Sequence, residues 1–282
     1  RVVFDLNGGT SVSDRSILRQ AIASGNYYFS IYVKSTNGTE QKVMWHDGGE
    51  YNTTTVTNEW VRITYDARPN STFGGIALNA TSGVDTSDIL AWGFQVEALS
   101  YPTSYIPTSG STVTRAADTC NNSGNSEVFN DSEGVLFANI SANSSDSTNR
   151  YISLSDGTTS NRVNIFFDSS NNLRGFYNGL SGSITINTDI KLNNKIAFKY
   201  KSGDSSFWFN GFEVATRADS LSLSGLDSIS FDLGGGSDFY GKTKELGYYD
   251  AILTDLELET LTSYRSWESM VNELNLNIIY NG

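Results

Sequence analysis

Three acids alternate in Asp255-Leu256-Glu257-Leu258-Glu259. On a strand, the two-residue period would place all three on one face. A glycosidase needs two carboxyl groups flanking the scissile bond, roughly 5–10 Å apart, so this run is the natural place to look for bond cleavage. The neighbouring residues argue for a different local structure. Thr254 precedes the run, Glu257 follows it by three residues, and Leu258 and Leu261 come next. That pattern is a capping box opening a helix. On a helix Glu257 lies roughly 200° around the axis from Asp255, and acids in a first turn are favoured by the helix dipole alone. The run is therefore read as a short helix, and no catalytic residue is assigned.

The lone histidine, His46, sits in Trp45-His46-Asp47. Imidazole titrates near neutrality and can act as a general base. No serine lies in a nucleophile-elbow pattern, and no second histidine could complete a relay. His46 is read as a ligand hydrogen-bond donor or a structural residue. Cys120 is also alone, which excludes an internal disulfide framework and a thiolate metal cage. Together these counts remove most zinc hydrolases and Cys–His proteases. Acids in turns, namely Asp47, Glu50, Asp156, Asp168, Asp232 and Asp238, offer the oxygen ligands that hard cations prefer, without EF-hand spacing. No cofactor is required by this reading; a structural Ca2+ ion is compatible with it.

The elements that must position such residues are strands. The chain has 282 residues, and a prior of roughly one domain per 150 residues gives two domains. A net charge of −12 disfavours nucleic acid backbones and anionic membrane surfaces. No apolar run approaches the length of a membrane span, and no signal-peptide pattern opens the sequence. Beginning at Arg1, the chain is expected to be part of a longer protein. Short alternating runs bounded by Gly, Asn, Asp and Ser predict an all-β protein of two tandem antiparallel β-sandwiches (jelly rolls), with one or two short C-terminal helices. The helices are expected after Thr254 and over 266–274. Residues 1–100 are read as the first domain, 101–128 as a linker containing Pro102 and Pro107, and 129–282 as the second domain.

Aromatic residues carry the binding candidates. The apolar C–H face of a pyranose stacks on Trp and Tyr rings, and its hydroxyls pair with amide, carboxylate or guanidinium groups. In the strand from Tyr27 to Lys34, Phe29, Ile31 and Val33 supply a core face. Tyr28 and Tyr32 lie opposite and are candidate contacts. Arg62 and Gln95 lie opposite the apolar faces of their own strands and join that set. Trp45 and Tyr51 flank the Asp47-Gly48-Gly49 turn as a loop platform, with His46 beside them. Trp60 and Trp92 read as core, Trp92 because alternation groups it with Leu90, Phe94 and Val96. In the second half, Arg162, Arg174 and Phe176 lie on polar–aromatic strand faces, and Trp208 opposes Phe207 and Phe209 with an exposed ring.

Tyr28 to Lys34 (YFSIYVK), Val56 to Ile63 (VTNEWVRI) and Ile89 to Glu97 (ILAWGFQVE) resemble bacterial and phage jelly-roll carbohydrate-binding modules. Residues 103–108 and 113–118 resemble the linker that follows such modules in phage tail and tail-fibre proteins. Lys195 to Gly211 and Phe239 to Thr262 resemble a concanavalin A-like (laminin-G-like) sandwich, with Leu253 to Leu258 as its C-terminal helical turn. The resemblance implies a non-catalytic segment that binds host or environmental polysaccharide. It would sit in a virion or on a cell surface, within a longer chain that is homotrimeric in context. Laminarinase-type relatives of that architecture carry alternating acids, so a glycoside hydrolase or lyase is the enzymatic alternative. A structural virion spacer is the third reading.

Overall fold

The computed structural model describes residues 1–11, 13–114, 119–264 and 267–273. It is all-β, with four antiparallel sheets forming two tandem sandwiches and two short helices. The chain divides into two units, Arg1–Ala116 and Ala117–Gly282, each with its own core.

Unit 1 contains β1 (Val2–Asp5), β2 (Arg15–Gly25), β3 (Tyr28–Ser35), β4 (Gln41–His46), β5 (Glu50–Val56), β6 (Val61–Asp66), β7 (Ser71–Asn79) and β8 (Thr86–Glu97). One sheet has the order β1-β8-β3-β6 and the other β2-β7-β4-β5. First pairs with last, second with seventh, third with sixth and fourth with fifth, all antiparallel. The unit is thus one long hairpin wrapped over itself, its successive pairs falling alternately in the two sheets. This is the jelly-roll topology. Phe29, Ile31 and Val33 of β3 face inward with Val43 and Trp45 of β4 and Ile76 and Leu78 of β7, all buried. Each such side chain contributes about 1.5–3 kcal/mol of hydrophobic stabilisation.

The stretch read as a linker is folded at both ends. After β8 the chain returns across the outer face of the first sheet. There Thr103 N donates to the Glu97 carboxylate at 3.0 Å, and Ile106 N donates to Gln95 Oε1 at 2.8 Å. Further on, Ser123 bridges Ile229 and Phe129 enters the core of unit 2. Residues 115–118 lie outside the described residues.

Unit 2 contains β9 (Glu133–Ala142), β10 (Arg150–Ser155), β11 (Arg162–Phe167), β12 (Leu173–Tyr177), β13 (Ile184–Ile186), β14 (Asn194–Lys201), β15 (Ser205–Phe209), β16 (Phe212–Arg217), β17 (Ser228–Ser230) and β18 (Gly241–Tyr249). Its two five-stranded sheets run β13-β12-β11-β10-β17 and β16-β15-β14-β9-β18. Asn210 and Gly211 both have positive φ and join β15 to β16 in a two-residue hairpin, as an Asn-Gly pair favours. Val163, Ile165 and Phe167 of β11 point inward and meet Leu136, Ile196, Phe198 and Phe207 in one core.

Helix α1 (Asp255–Thr262) opens with the expected capping box: Thr254 N donates to Glu257 Oε2 at 2.8 Å, and Glu257 N donates to Thr254 Oγ1 at 3.4 Å. Leu258 and Leu261 then rest on the outer face of the β9-containing sheet, over Val135, Phe137, Ala197 and Trp208. A second helix, α2 (Trp267–Glu273), follows. The end of the sequence beyond it lies outside the described residues.

Candidate functional site

The outer face of the β1-β8-β3-β6 sheet carries an aromatic cluster that is partly open to solvent. Pairing aligns Arg62 of β6, Tyr32 of β3 and Trp92 of β8 in one row across three strands. The rings of Tyr32 and Trp92 stack with centroids 4.6 Å apart and planes within 10°. Trp60 meets Trp92 edge-on at 6.4 Å, and Tyr105 from the returning segment meets its other side at 5.0 Å. Trp60 is 46% exposed and Trp92 47%. Neither indole N–H is engaged by another described residue.

The sequence places Trp92, by alternation, and Trp60 in the core, and the structure corrects both. The β3–β8 register slips between Ser30 and Tyr32, opposite Gly93, which has φ +65°. A glycine in the left-handed region admits one extra residue as a bulge. Ala91 therefore faces inward before the bulge and Phe94 and Val96 after it, while Trp92 is turned out. A Cβ at Gly93 would stand 3.2 Å from the Tyr105 ring and 3.3 Å from Tyr32, so the same glycine lets the rings close up. Trp60 precedes the edge strand β6 and shares the outward side of Arg62.

Tyr32, Arg62 and Gln95 come together as the sequence suggested, but two of them serve the protein itself. Arg62 Nη2 donates to Ser30 Oγ at 2.7 Å and Nη1 to the Thr103 carbonyl, with the guanidinium 5.6 Å from the Tyr32 ring. Gln95 accepts from Ile106 N and donates to Ser104 O at 3.4 Å. Both tie down the returning segment beneath the Trp92 platform. Tyr28 is half-buried on the same face, across from Asp66 and Glu97.

The loop platform proposed around residue 45 is not formed. Trp45 continues the inward alternation of Val43 into the core, where it stacks on Tyr65 at 5.7 Å and is only 2% exposed. His46 is on the opposite face of that strand but fully buried. Its Nε2 lies 3.2 Å from Arg19 Nη1, and Phe73 covers it with Arg19 stacked on that ring at 4.1 Å. A donor to solvent-borne ligand is thereby excluded. Tyr51 is placed in β5 opposite Trp45, and its side chain lies outside the described residues.

In unit 2, Trp208 is buried beneath α1, contrary to its expected exposure, and its Nε1 donates to Ser206 Oγ at 3.0 Å. Arg162, Arg174 and Phe176 do share the outer face of the β10–β13 sheet. Arg162 stacks on Phe176 with its guanidinium carbon 4.7 Å from the ring centre, and Arg174 pairs with Asp168 at 3.1 Å.

The alternating acids lie on α1, where Glu257 is committed to Thr254. The backbone and side-chain hydrogen bonds from Thr254 lower its pKa below the ordinary glutamate value. Of the acids in turns, the Glu50 side chain lies outside the described residues, and the others are engaged. Asp47 is buried and takes Arg68 N at 2.8 Å and Arg68 Nε at 3.0 Å. Asp168 takes Ser170 N and Asn172 N as well as Arg174, and Asp232 takes Asn121. Asp156 holds Thr158 in its own loop, and Asp238 takes the Tyr240 hydroxyl. Among the described residues no group of three potential metal ligands converges. No described helix is long and apolar enough to cross a membrane.

No family model and no curated protein matches the sequence. Solved structures with a related chain path include the carbohydrate-binding module CBM40 of a Ruminococcus gnavus IT-sialidase. It is 17% identical, aligns over 48% of this chain and 84% of its own, and has a TM-score of 0.39. A second is domain 4 of a GH43 extracellular arabinanase from Geobacillus stearothermophilus in complex with arabinotriose, at 14% identity over 50% and 70% of the two chains and a TM-score of 0.38. A third is a Trypanosoma rangeli sialidase, at 11% identity over 47% and 22% and a TM-score of 0.40.

Proposed function

We propose that the chain is a non-catalytic carbohydrate-binding segment whose unit 1 site is the Trp92–Tyr32–Trp60 platform. The observation that carries this reading is the pair of tryptophans, each about half exposed on one sheet face. Large apolar rings left clustered in water mark an interaction surface. Trp92 is packed against Tyr32 and against Tyr105 of the returning segment, which reduces the ordering cost to be met on binding. The shape suits the apolar face of a pyranose. The two indole N–H groups, and Lys34 beside them, are available to sugar hydroxyls. The platform also favours a ligand-binding role over that of a plain spacer.

The setting we propose is a phage tail or another surface-exposed protein that meets host or environmental polysaccharide. It rests on the resemblance of residues 103–108 and 113–118 to tail-fibre linkers. A single platform binds weakly, and presentation in several copies, as in a homotrimer, would raise avidity without new contacts. The test is a glycan array probed with the multimerised full chain. Retention of one saccharide class by the wild type, with loss in Trp92→Ala, supports the proposal; a blank array across bacterial and algal polysaccharides returns the chain to the spacer reading.

A further inference from the structure

The outer face of the β13-β12-β11-β10-β17 sheet combines two arginines with three aromatic rings. Its register aligns Tyr151, Phe166 and Arg174 in one row, with Arg162 four residues before Phe166 on β11. The strand rise separates the two arginine positions by about 13 Å. At one end Tyr151 lies flat on Phe166, with centroids 4.4 Å apart and planes within 13°. At the other Arg162 lies over Phe176.

The two cations differ in one respect. Arg174 is neutralised by Asp168, itself fixed by two backbone N–H groups. Arg162 has no carboxylate partner among the described residues. Its Nε finds only the Asn164 amide oxygen, at 3.0 Å in the amide orientation that satisfies both groups. A half-buried cation without a counter-charge is costly and attracts an anion. Burial lowers the Arg162 pKa, with Tyr151 the charge partner that opposes the shift, and burial raises that of Tyr151. The Arg162 direction reflects a partly desolvated cation, and the Tyr151 direction reflects burial that keeps the phenol neutral, so that it supplies no counter-charge.

We propose that this face is a second saccharide site, for sugars that carry a carboxylate. Arg162 binds the carboxylate, and the stacked rings of Tyr151 and Phe176 receive the apolar ring faces. The planar guanidinium fork suits a carboxylate, and its stacking on Phe176 fixes the plane of that fork. The unit 1 platform lacks an uncommitted guanidinium, since Arg62 is bonded to Ser30 and Thr103. The two sites therefore differ in ligand charge, and this proposal stands whether or not the Trp92 platform binds sugar.

The experiment is calorimetric titration of the full chain with oligogalacturonate, oligoalginate and oligosialic acid, each beside its carboxyl-reduced counterpart. At least one acidic form is expected to bind, with the reduced form and Arg162→Gln weaker by about tenfold or more, as loss of a charge-assisted pair implies. Trp92→Ala is expected to leave that affinity in place, which separates this site from the unit 1 reading. Absence of binding to all three acidic forms, equal binding of the reduced forms, or unchanged affinity in Arg162→Gln overturns the proposal. The comparison of acidic with reduced ligand uses the wild-type chain, so it holds even if Arg162→Gln fails to fold.

Discussion

Trp92 lies flat against Tyr32, centroids 4.6 Å apart and planes within 10°, on the outer face of the first sheet. Both come from strands whose other faces build the core, yet neither ring is buried within it. The pair exists because Gly93 shifts the period of β8 by one residue. An aromatic that simple alternation would hide is thereby presented to solvent, beside a second tryptophan. The exposed platform of unit 1 thus follows from a break in the pattern that forms the fold.

Trp45 and Trp92 are expected to behave oppositely on truncation. Trp45→Ala removes a fully packed ring between Phe29 and Tyr65 and should cost about 3–5 kcal/mol. Trp92→Ala removes a half-exposed ring and should cost well under half of that. Urea unfolding of the two variants checks the contrast; equal losses would mean that the outward ring is structural.

Gly93→Ala places a Cβ against Tyr105 and Tyr32 at positive φ. The left-handed conformation alone should cost about 1–2 kcal/mol, with further loss from ring displacement. A lowered thermal midpoint is expected, together with a changed near-ultraviolet dichroism as the Tyr32–Trp92 stack shifts. An unchanged spectrum would show that the bulge does not set the platform.

Thr254→Ala deletes the cap of α1 and should cost about 1 kcal/mol, exposing Trp208 to quenchers as the helix lifts. The partner acid gives a pH signature. Glu257 has a folded pKa below the ordinary 4.5 because Thr254 donates to its carboxylate. Its contribution is therefore present above the unfolded value and is lost as pH falls through the folded one. Denaturation between neutral and acid pH should show this loss in the wild type and a smaller one in Glu257→Gln.

Tyr200 is buried, donating to the Asn130 carbonyl at 2.7 Å and lying 3.0 Å from the Tyr248 hydroxyl. Burial, reinforced by the Tyr248 hydrogen bond, raises its pKa above the ordinary 10. A raised folded pKa contributes stability below the unfolded value, and that stability is lost as pH rises beyond it. Tyr200→Phe should cost about 1–2 kcal/mol at neutral pH and flatten the alkaline decline. An alkaline decline as steep as the wild type's would assign it to other groups.

Most of the architecture was legible because it is written in local signals. The face formed by Phe29, Ile31 and Val33, the Asn210-Gly211 hairpin and the Thr254–Glu257 capping box each specify an element without reference to the rest. The misplaced residues share one cause, a dependence on what packs above a strand. Trp208 does oppose Phe207, but α1 covers it, and a helix's capping box does not say which sheet it will rest on. His46 points away from the core and is covered by Phe73 and Arg19 from a neighbouring strand pair. Trp45 stands just before the Asp47-Gly48-Gly49 turn, yet the two-residue period from Val43 continues to it and turns it inward. For Trp92 a signal was present: a glycine between apolar residues within a strand marks a bulge. Arg62 and Gln95 were placed on the right face, but that the chain beyond Pro102 would return to occupy them is a long-range event invisible to strand periodicity.

The most direct test of the central claim is the affinity of the wild type and Trp92→Ala for the saccharide retained best on the array, measured by calorimetry with both proteins verified as folded. Loss of the central ring of the platform should weaken binding by about tenfold or more, as truncating a tryptophan anchor does. An unchanged affinity in a folded Trp92→Ala variant would contradict the account and move the saccharide site away from the Trp92–Tyr32 face.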